Sequence, residues 1–143
     1  MTSPHQFLHP SHWKATPGYS NGMAATGRLV VTGGMVGWNA DQEFESDDFA
    51  AQAGQALRNI VAVLAEGGAR PEHIVRLTWY VTDKRAYLNS LAELGGLYKA
   101  AMGRHYPAMA LVQVVALVED RALVEIEATA MVPEASENLP KGA

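Results

Sequence analysis

Two carboxylates stand two residues apart in the segment VEIEATA, Glu125 and Glu127. On an extended strand, positions i and i+2 share one face and lie roughly 7 Å apart. Partly buried, such a pair raises the pKa of one member, which would suit general acid/base chemistry near neutrality. Left in water, the same pair is a solvated strand face, the plainer reading of spacing alone. Arg76, inside the apolar run IVRLTWYV, must be paired or face solvent, and Glu125 or Glu127 on a neighbouring strand could pair it.

Other candidate motifs weigh less. Gly18-Tyr19-Ser20-Asn21-Gly22 fits G-x-S-x-G, but a nucleophile elbow needs a buried strand before the serine and a helix after it. Here Lys14-Ala15-Thr16-Pro17 precedes and a strand pattern follows, so a plain turn is favoured. Gly33, Gly34 and Gly37 precede Trp38-Asn39-Ala40-Asp41 and no helix start, which favours a bulge or close backbone approach over a phosphate cradle. His5, His9 and His12 lie in a proline-broken segment without an adjacent carboxylate, so no metal site is expected of them. Trp79 and Tyr80 read as core and sheet-surface residues before ligand stackers.

The elements that must position these residues follow from hydrophobic period. Ala110–Leu117 is almost continuously apolar, and Leu123–Met131 alternates after a polar Glu119-Asp120, predicting an antiparallel hairpin with its first strand covered on both faces. Residues 1–17 read as an irregular lead-in, Leu29–Thr32 as a strand, and Tyr19–Ala25 as its weaker partner. Phe49, Ala53, Ala56, Leu57, Ile60, Val61 and Leu64 recur at helical spacing, with Ser46 or Asp47 as cap and Gly67-Gly68 as stop. His73–Thr82 reads as a central strand, with Val75, Leu77, Trp79 and Val81 on one face. Thr82 or Asp83 caps a second helix with the stripe Tyr87, Leu88, Leu91, Leu94, Tyr98 and Met102, closed by Gly103. The sum is an α+β domain over residues 1–132, a mixed sheet with two helices on one face, followed by a polar tail (133–143) expected to be disordered. Two helices cover one face only, so the other face calls for a second copy of the chain.

Composition narrows the function. The 143 residues carry 15 acidic against 11 Lys and Arg side chains, a net charge of −4, which argues against a phosphate-tracking nucleic-acid surface. The absence of cysteine excludes thiolate nucleophiles, iron–sulfur ligation and Cys-based zinc sites. No membrane span or export signal is visible, so a soluble cytoplasmic protein with small-molecule or protein partners is expected.

The series GYS, VVTGGMVG, QALRNIVAVLAEGGARPEHIVRLTWYVTD and YPAMALVQVVALVEDRALVEIEATA, spanning Gly18 to Met131, resembles the Rid family of reactive-intermediate deaminases (YjgF/YER057c/UK114). The resemblance implies a chorismate-mutase-like α+β domain that forms a homotrimer around a barrel-like sheet core, with ligand clefts between subunits. It implies hydrolysis of enamines and imines to a keto compound and ammonia without metal or organic cofactor. Carried over by position, Glu125 positions the attacking water and the Tyr19 hydroxyl faces the ligand. Thr32 and Gly33 match the turn whose glycine N–H donates to the ligand, and the backbone around Leu111 supplies a second donor.

One position departs from the pattern. Where active deaminases carry P-A-R-S, with the arginine clamping the substrate carboxylate, this chain reads Pro107-Ala108-Met109-Ala110. Methionine cannot bind a carboxylate and leaves a polarizable apolar wall instead. Thr32-Gly33-Gly34 also replaces the usual SGQ, and the family's helix asparagine falls near Gly95. The expectation is a cofactor-free imine hydrolase of altered, less carboxylate-dependent specificity. The alternative is a trimeric ligand-binding or regulatory module without chemistry. A ribonuclease fits the acidic charge poorly.

Overall fold

A computed structural model describes residues 3–134; the part of the predicted tail beyond them, 135–143, lies outside the described residues. Strands β1 (Gln6–Leu8) and β2 (Gly22–Ala24) pair with each other as a small antiparallel sheet. The main sheet comprises β3 (Arg28–Val31), β4 (Met35–Val36), β5 (Ile74–Val81), β6 (Ala108–Gln113) and β7 (Val124–Val132). Its order is β3-β7-β5-β6, with β4 sharing the β3 side of β7. Helices α1 (Phe49–Glu66), α2 (Lys84–Asn89) and α3 (Leu91–Met102) complete the fold.

Helix α1 buries the predicted stripe Phe49, Ala53, Ala56, Leu57, Ile60 and Leu64 against Ile74, Leu77, Val124, Ile126, Ala128 and Ala130 of the sheet. Its cap is Asp48, one residue beyond the expected pair: the Asp48 carboxylate accepts from Ala51 N at 3.0 Å, while Ser46 Oγ accepts from Asp48 N. Such a cap contributes about 1 kcal/mol. The second predicted helix is two helices. Asp83 caps α2, accepting from Arg85 N at 2.9 Å, and the chain breaks at Ser90, whose hydroxyl donates to Ala86 O at 2.7 Å. A serine that bonds back into its own turn competes with helix continuation.

Three expectations need correction. The apolar run and the VEIEATA strand do not form a hairpin: β5 lies between β6 and β7, parallel to β6 and antiparallel to β7. Residues 114–123 cross the end of β5, with Val114 N donating to Val81 O and Thr82 N donating to Leu123 O. Residues 1–17 are not wholly irregular, because Gln6–Leu8 pairs with Gly22–Ala24 and takes the partner expected for β3. On β5, a register irregularity between Ile74 and Arg76 puts both Ile74 and Leu77 in the core and leaves Val75 half-buried, breaking the strict alternation.

The sheet face away from the helices carries Leu29 and Val31 of β3, Glu125, Glu127 and Thr129 of β7, Thr78 and Tyr80 of β5, and Ala110 and Val112 of β6. Leu29, Val31 and Val112 are 59, 57 and 47 % exposed, so β6 is not covered on both faces within one chain.

Candidate functional site

The sheet register divides the predicted site residues into two sets. Thr32, Gly33 and Glu125 lie where β3 and β4 meet β7; Met109, Ala110 and Leu111 lie on edge strand β6, with Tyr19 beside them. Strand β5 stands between, so the sets are two strand spacings apart, about 10 Å.

The first set is organised around Glu125. Its neighbours across the sheet are Val36 of β4 and Tyr80 of β5. Gly34 sits directly against it: a Cβ at that position would overlap Glu125 Oε2 and come within 2.7 Å of Cδ and 2.9 Å of Cγ. The glycine pair thus marks the close approach expected, and the object approached is the carboxylate itself. Two helix residues hold the surrounding chain. Asn59 Nδ2 donates to Val36 O and Trp38 O, both at 2.9 Å. Buried Gln52 donates from Nε2 to Ser46 O and Arg121 O and accepts from Leu123 N at 2.8 Å, anchoring the approach to β7. Thr32 is buried, and its hydroxyl oxygen accepts from Ala128 N at 3.1 Å, so its side chain braces β7. Gly33 is exposed, with nothing within 4 Å of where a Cβ would stand.

The paired carboxylates are not equivalent. The Tyr80 hydroxyl donates to Glu127 Oε1 at 2.8 Å, and this bond, reinforced by the repulsion both glutamates exert on a phenolate, holds the Tyr80 proton more tightly than usual. Glu127 is thereby engaged, whereas Glu125 makes no side-chain hydrogen bond among the described residues. Arg76 pairs with neither glutamate. It is exposed opposite Thr129, and the ion pairs among the described residues are Arg70–Glu72 and Arg121–Asp47.

The second set surrounds a cavity of about 220 Å³ between β6, Tyr19 and the α2–α3 corner, walled by Tyr19, Trp79, Tyr87, Tyr98, Tyr106 and Met109. Gly18, at φ +76°, makes the turn that presents Tyr19. Ser20 then ties this segment to β6: its hydroxyl donates to Tyr106 O at 2.5 Å, and its N–H donates to Pro107 O. The serine of the G-x-S-x-G match is therefore a structural tether. Behind the cavity, the Tyr98 hydroxyl donates to His105 O at 2.5 Å and its ring stacks on Tyr106, centroids 5.3 Å apart. Burial pushes the Tyr98 and Tyr87 phenols above their ordinary range. A second, more open cavity of about 330 Å³ shares Gly18, Tyr19 and Tyr106 and is lined by Arg104 and His9.

The N-terminal histidines serve separate ends. His5 Nε2 bonds Met131 O at 2.6 Å, and His9 bonds Trp13 O and Asn21. His73 and His105 are both buried. His105 bonds Ile74 O, His73 Nδ1 accepts from Arg70 N, and burial lowers both pKa values.

Comparison with known proteins fits this arrangement. The family described as Endoribonuclease L-PSP matches residues 10–132. The crystal structure of YyfB from Yersinia pestis, a protein of the conserved Rid family, superposes with a TM-score of 0.77 at 31 % identity, covering 90 % of this chain and 98 % of that one. The chain belongs to the Rid family. Among curated Rid relatives, the 2-iminobutanoate/2-iminopropanoate deaminase of Salmonella typhimurium is 32 % identical over 108 residues, which is 73 % of this chain and 80 % of that protein. A RutC family protein of Haemophilus influenzae is 31 % identical over 126 residues, 88 % of this chain and 96 % of its own length. The small α+β architecture is therefore that of Rid proteins.

Sequence reasoning named Tyr19 and Met109 but not the wall they share with Tyr87, Tyr98 and Tyr106. The available signal was the aromatic content of the second helical stripe, which served there as core.

Proposed function

We propose that the chain is a cofactor-free imine or enamine hydrolase of altered, less carboxylate-dependent specificity. Water adds to the imine carbon, the C–N bond of the resulting carbinolamine breaks, and ammonia leaves: R₂C=NH + H₂O → R₂C=O + NH₃. Glu125 orients the water and takes its proton; the Tyr19 hydroxyl and the N–H groups of Gly33 and Leu111 polarise the substrate. Thr32 and Ala110 frame the donors, and Met109 shapes the pocket where a clamping arginine would stand.

The observation that carries this reading is the placement of Glu125. It is lodged against Gly34 and has no hydrogen-bonding partner among the described residues, while Glu127 is occupied by Tyr80, so one carboxylate of the pair is left to hold a water. The named activity of the Salmonella relative supports the reaction class. The net charge of −4 supports a small molecule over RNA as substrate.

Because β5 separates the two sets of residues, the reading requires a site shared between copies of the chain. The exposed Leu29, Val31 and Val112 on the open sheet face support such assembly, and the homotrimer implied by the family resemblance would close it.

The test generates several imines in situ with an amino-acid oxidase, including bulky apolar ones, and follows keto-product release. The protein should accelerate at least one, and Glu125→Gln should lower kcat/KM by about 10²-fold. If no imine is accelerated and Glu125→Gln changes nothing, the protein is the alternative, a ligand-binding module without chemistry.

A further inference from the structure

Trp79 Nε1 is, among the described residues, the one buried side-chain nitrogen or oxygen without a hydrogen-bond partner. The indole is 2 % exposed and also lines the 220 Å³ cavity beside Met109. A buried indole N–H normally finds an acceptor, and leaving one unmatched is costly. Two of the aromatic neighbours of Trp79 are held in place. Tyr87 meets Trp79 edge-on with centroids 6.2 Å apart and leans on Phe49 at 6.3 Å, and Tyr98 is spent on His105 O. The chain also leaves space: at Gly95 of α3, which lines the same cavity, a Cβ would meet nothing within 4 Å. Glycine is a poor residue for a helix interior, so here helical propensity yields to an open cavity.

We propose that this cavity is the side-chain subsite and selects imines whose side chain is one aromatic ring bearing a hydrogen-bond acceptor, a phenol being the simplest. The ring lies among Tyr87, Tyr106 and Met109, and its oxygen accepts from Trp79 Nε1. Aromatic and thioether walls favour a ring of this size, and the buried indole N–H without an acceptor sets the polarity of its substituent. This assignment rests on the imine-hydrolase reading for its substrate class, but not for the binding itself.

The test is therefore binding without turnover, using the stable keto products 4-hydroxyphenylpyruvate, phenylpyruvate and pyruvate. The phenol should bind about tenfold more tightly than phenylpyruvate, the worth of one buried hydrogen bond. In ¹⁵N spectra the chain's three indoles resolve Trp13, Trp38 and Trp79, and the Trp79 N–H should shift downfield with the phenol only. Trp79→Phe should abolish the preference for the phenol. Because that core substitution can impair folding, Gly95→Leu provides a second variant, which fills the cavity while favouring the helix. It should lower the ratio of aromatic to pyruvate affinity by more than about tenfold. Equal affinities for the two aromatic acids, an unmoved Trp79 resonance, or no binding of any keto acid overturns the proposal; an unmoved resonance would mean that the Tyr87 ring face satisfies the N–H. Phenol-selective binding without imine hydrolysis would keep the subsite and reject the hydrolase. Hydrolysis of 2-iminopropanoate without aromatic preference would do the reverse.

Discussion

Replacing Gly34 by alanine inserts a methyl group where the Glu125 side chain now lies, overlapping Oε2 and standing 2.7 Å from Cδ and 2.9 Å from Cγ. Ordinary carbon contacts begin near 3.5 Å, so the carboxylate must swing aside by about 1 Å. Stability should change little, because the displaced atoms are the free end of a half-buried side chain. The penalty is one off-rotamer torsion, about 0.5–1.5 kcal/mol. Reactivity should change far more, since a 1 Å misplacement of a positioning group can lower the rate about 10²-fold. The assay pairs a thermal melt with kcat/KM on the best imine found. Gly34→Ala is expected to melt within a few degrees of the parent, about 2–6 °C below it, with kcat/KM down about 10²-fold. In a Glu125→Gln background the same substitution should cost almost nothing more, because both changes disable one element. A Gly34→Ala protein retaining activity within about threefold, or full additivity in the double variant, would refute the placement of Glu125 as the water-holding group.

Met109→Arg should restore a carboxylate clamp and raise kcat/KM on 2-iminopropanoate, by about tenfold or more if the charge-assisted bonds form; an unchanged rate would show that more of the cleft than position 109 has diverged. Gln52→Leu removes three half-buried hydrogen bonds and leaves Leu123 N, Ser46 O and Arg121 O without this partner, for an expected loss of about 2–4 kcal/mol in denaturant unfolding. A loss below about 0.5 kcal/mol would mean that the loop before β7 is not anchored through Gln52. His73 and His105 have pKa values lowered by burial, so the unfolded chain binds protons that the folded chain refuses. Their contribution is complete above pH 6.5 and is lost as pH falls from there toward the folded values, at most about 1.4 kcal/mol per histidine per pH unit. The melting temperature should therefore fall between pH 7.5 and 5.5, and a rise would contradict that sign.

Helix α1 and the division of β7 into two faces were legible because their signals are local, whereas the break at Ser90 in the second helix was not. The stripe of α1 and the alternation of VEIEATA repeat with one element's own period, and burial follows them residue by residue. Strand partnership was not legible, because it is decided by what packs between elements distant in sequence. Residues 108–113 are apolar enough to pair with any neighbour, and nothing in them says that β5 takes the position beside β7. The site divides along the same line. Gly34 against Glu125 joins residues 91 apart through a two-residue strand, so the glycine pair announced a close approach without naming its object. Trp79 read correctly as core, but a core residue can also wall a cavity, and only packing against Tyr87 and Met109 shows that.

Subunit mixing tests the central claim, imine hydrolysis at a site completed by a second copy, most directly. Tyr19→Ala disables the β6 side and Glu125→Gln the β7 side, and each alone should be nearly inactive. If the halves come from different subunits, exchange in a 1:1 mixture leaves roughly one site in four with both halves intact, and imine hydrolysis should recover to about a quarter of the parent rate. A mixture no more active than the mean of the two variants would contradict a shared site.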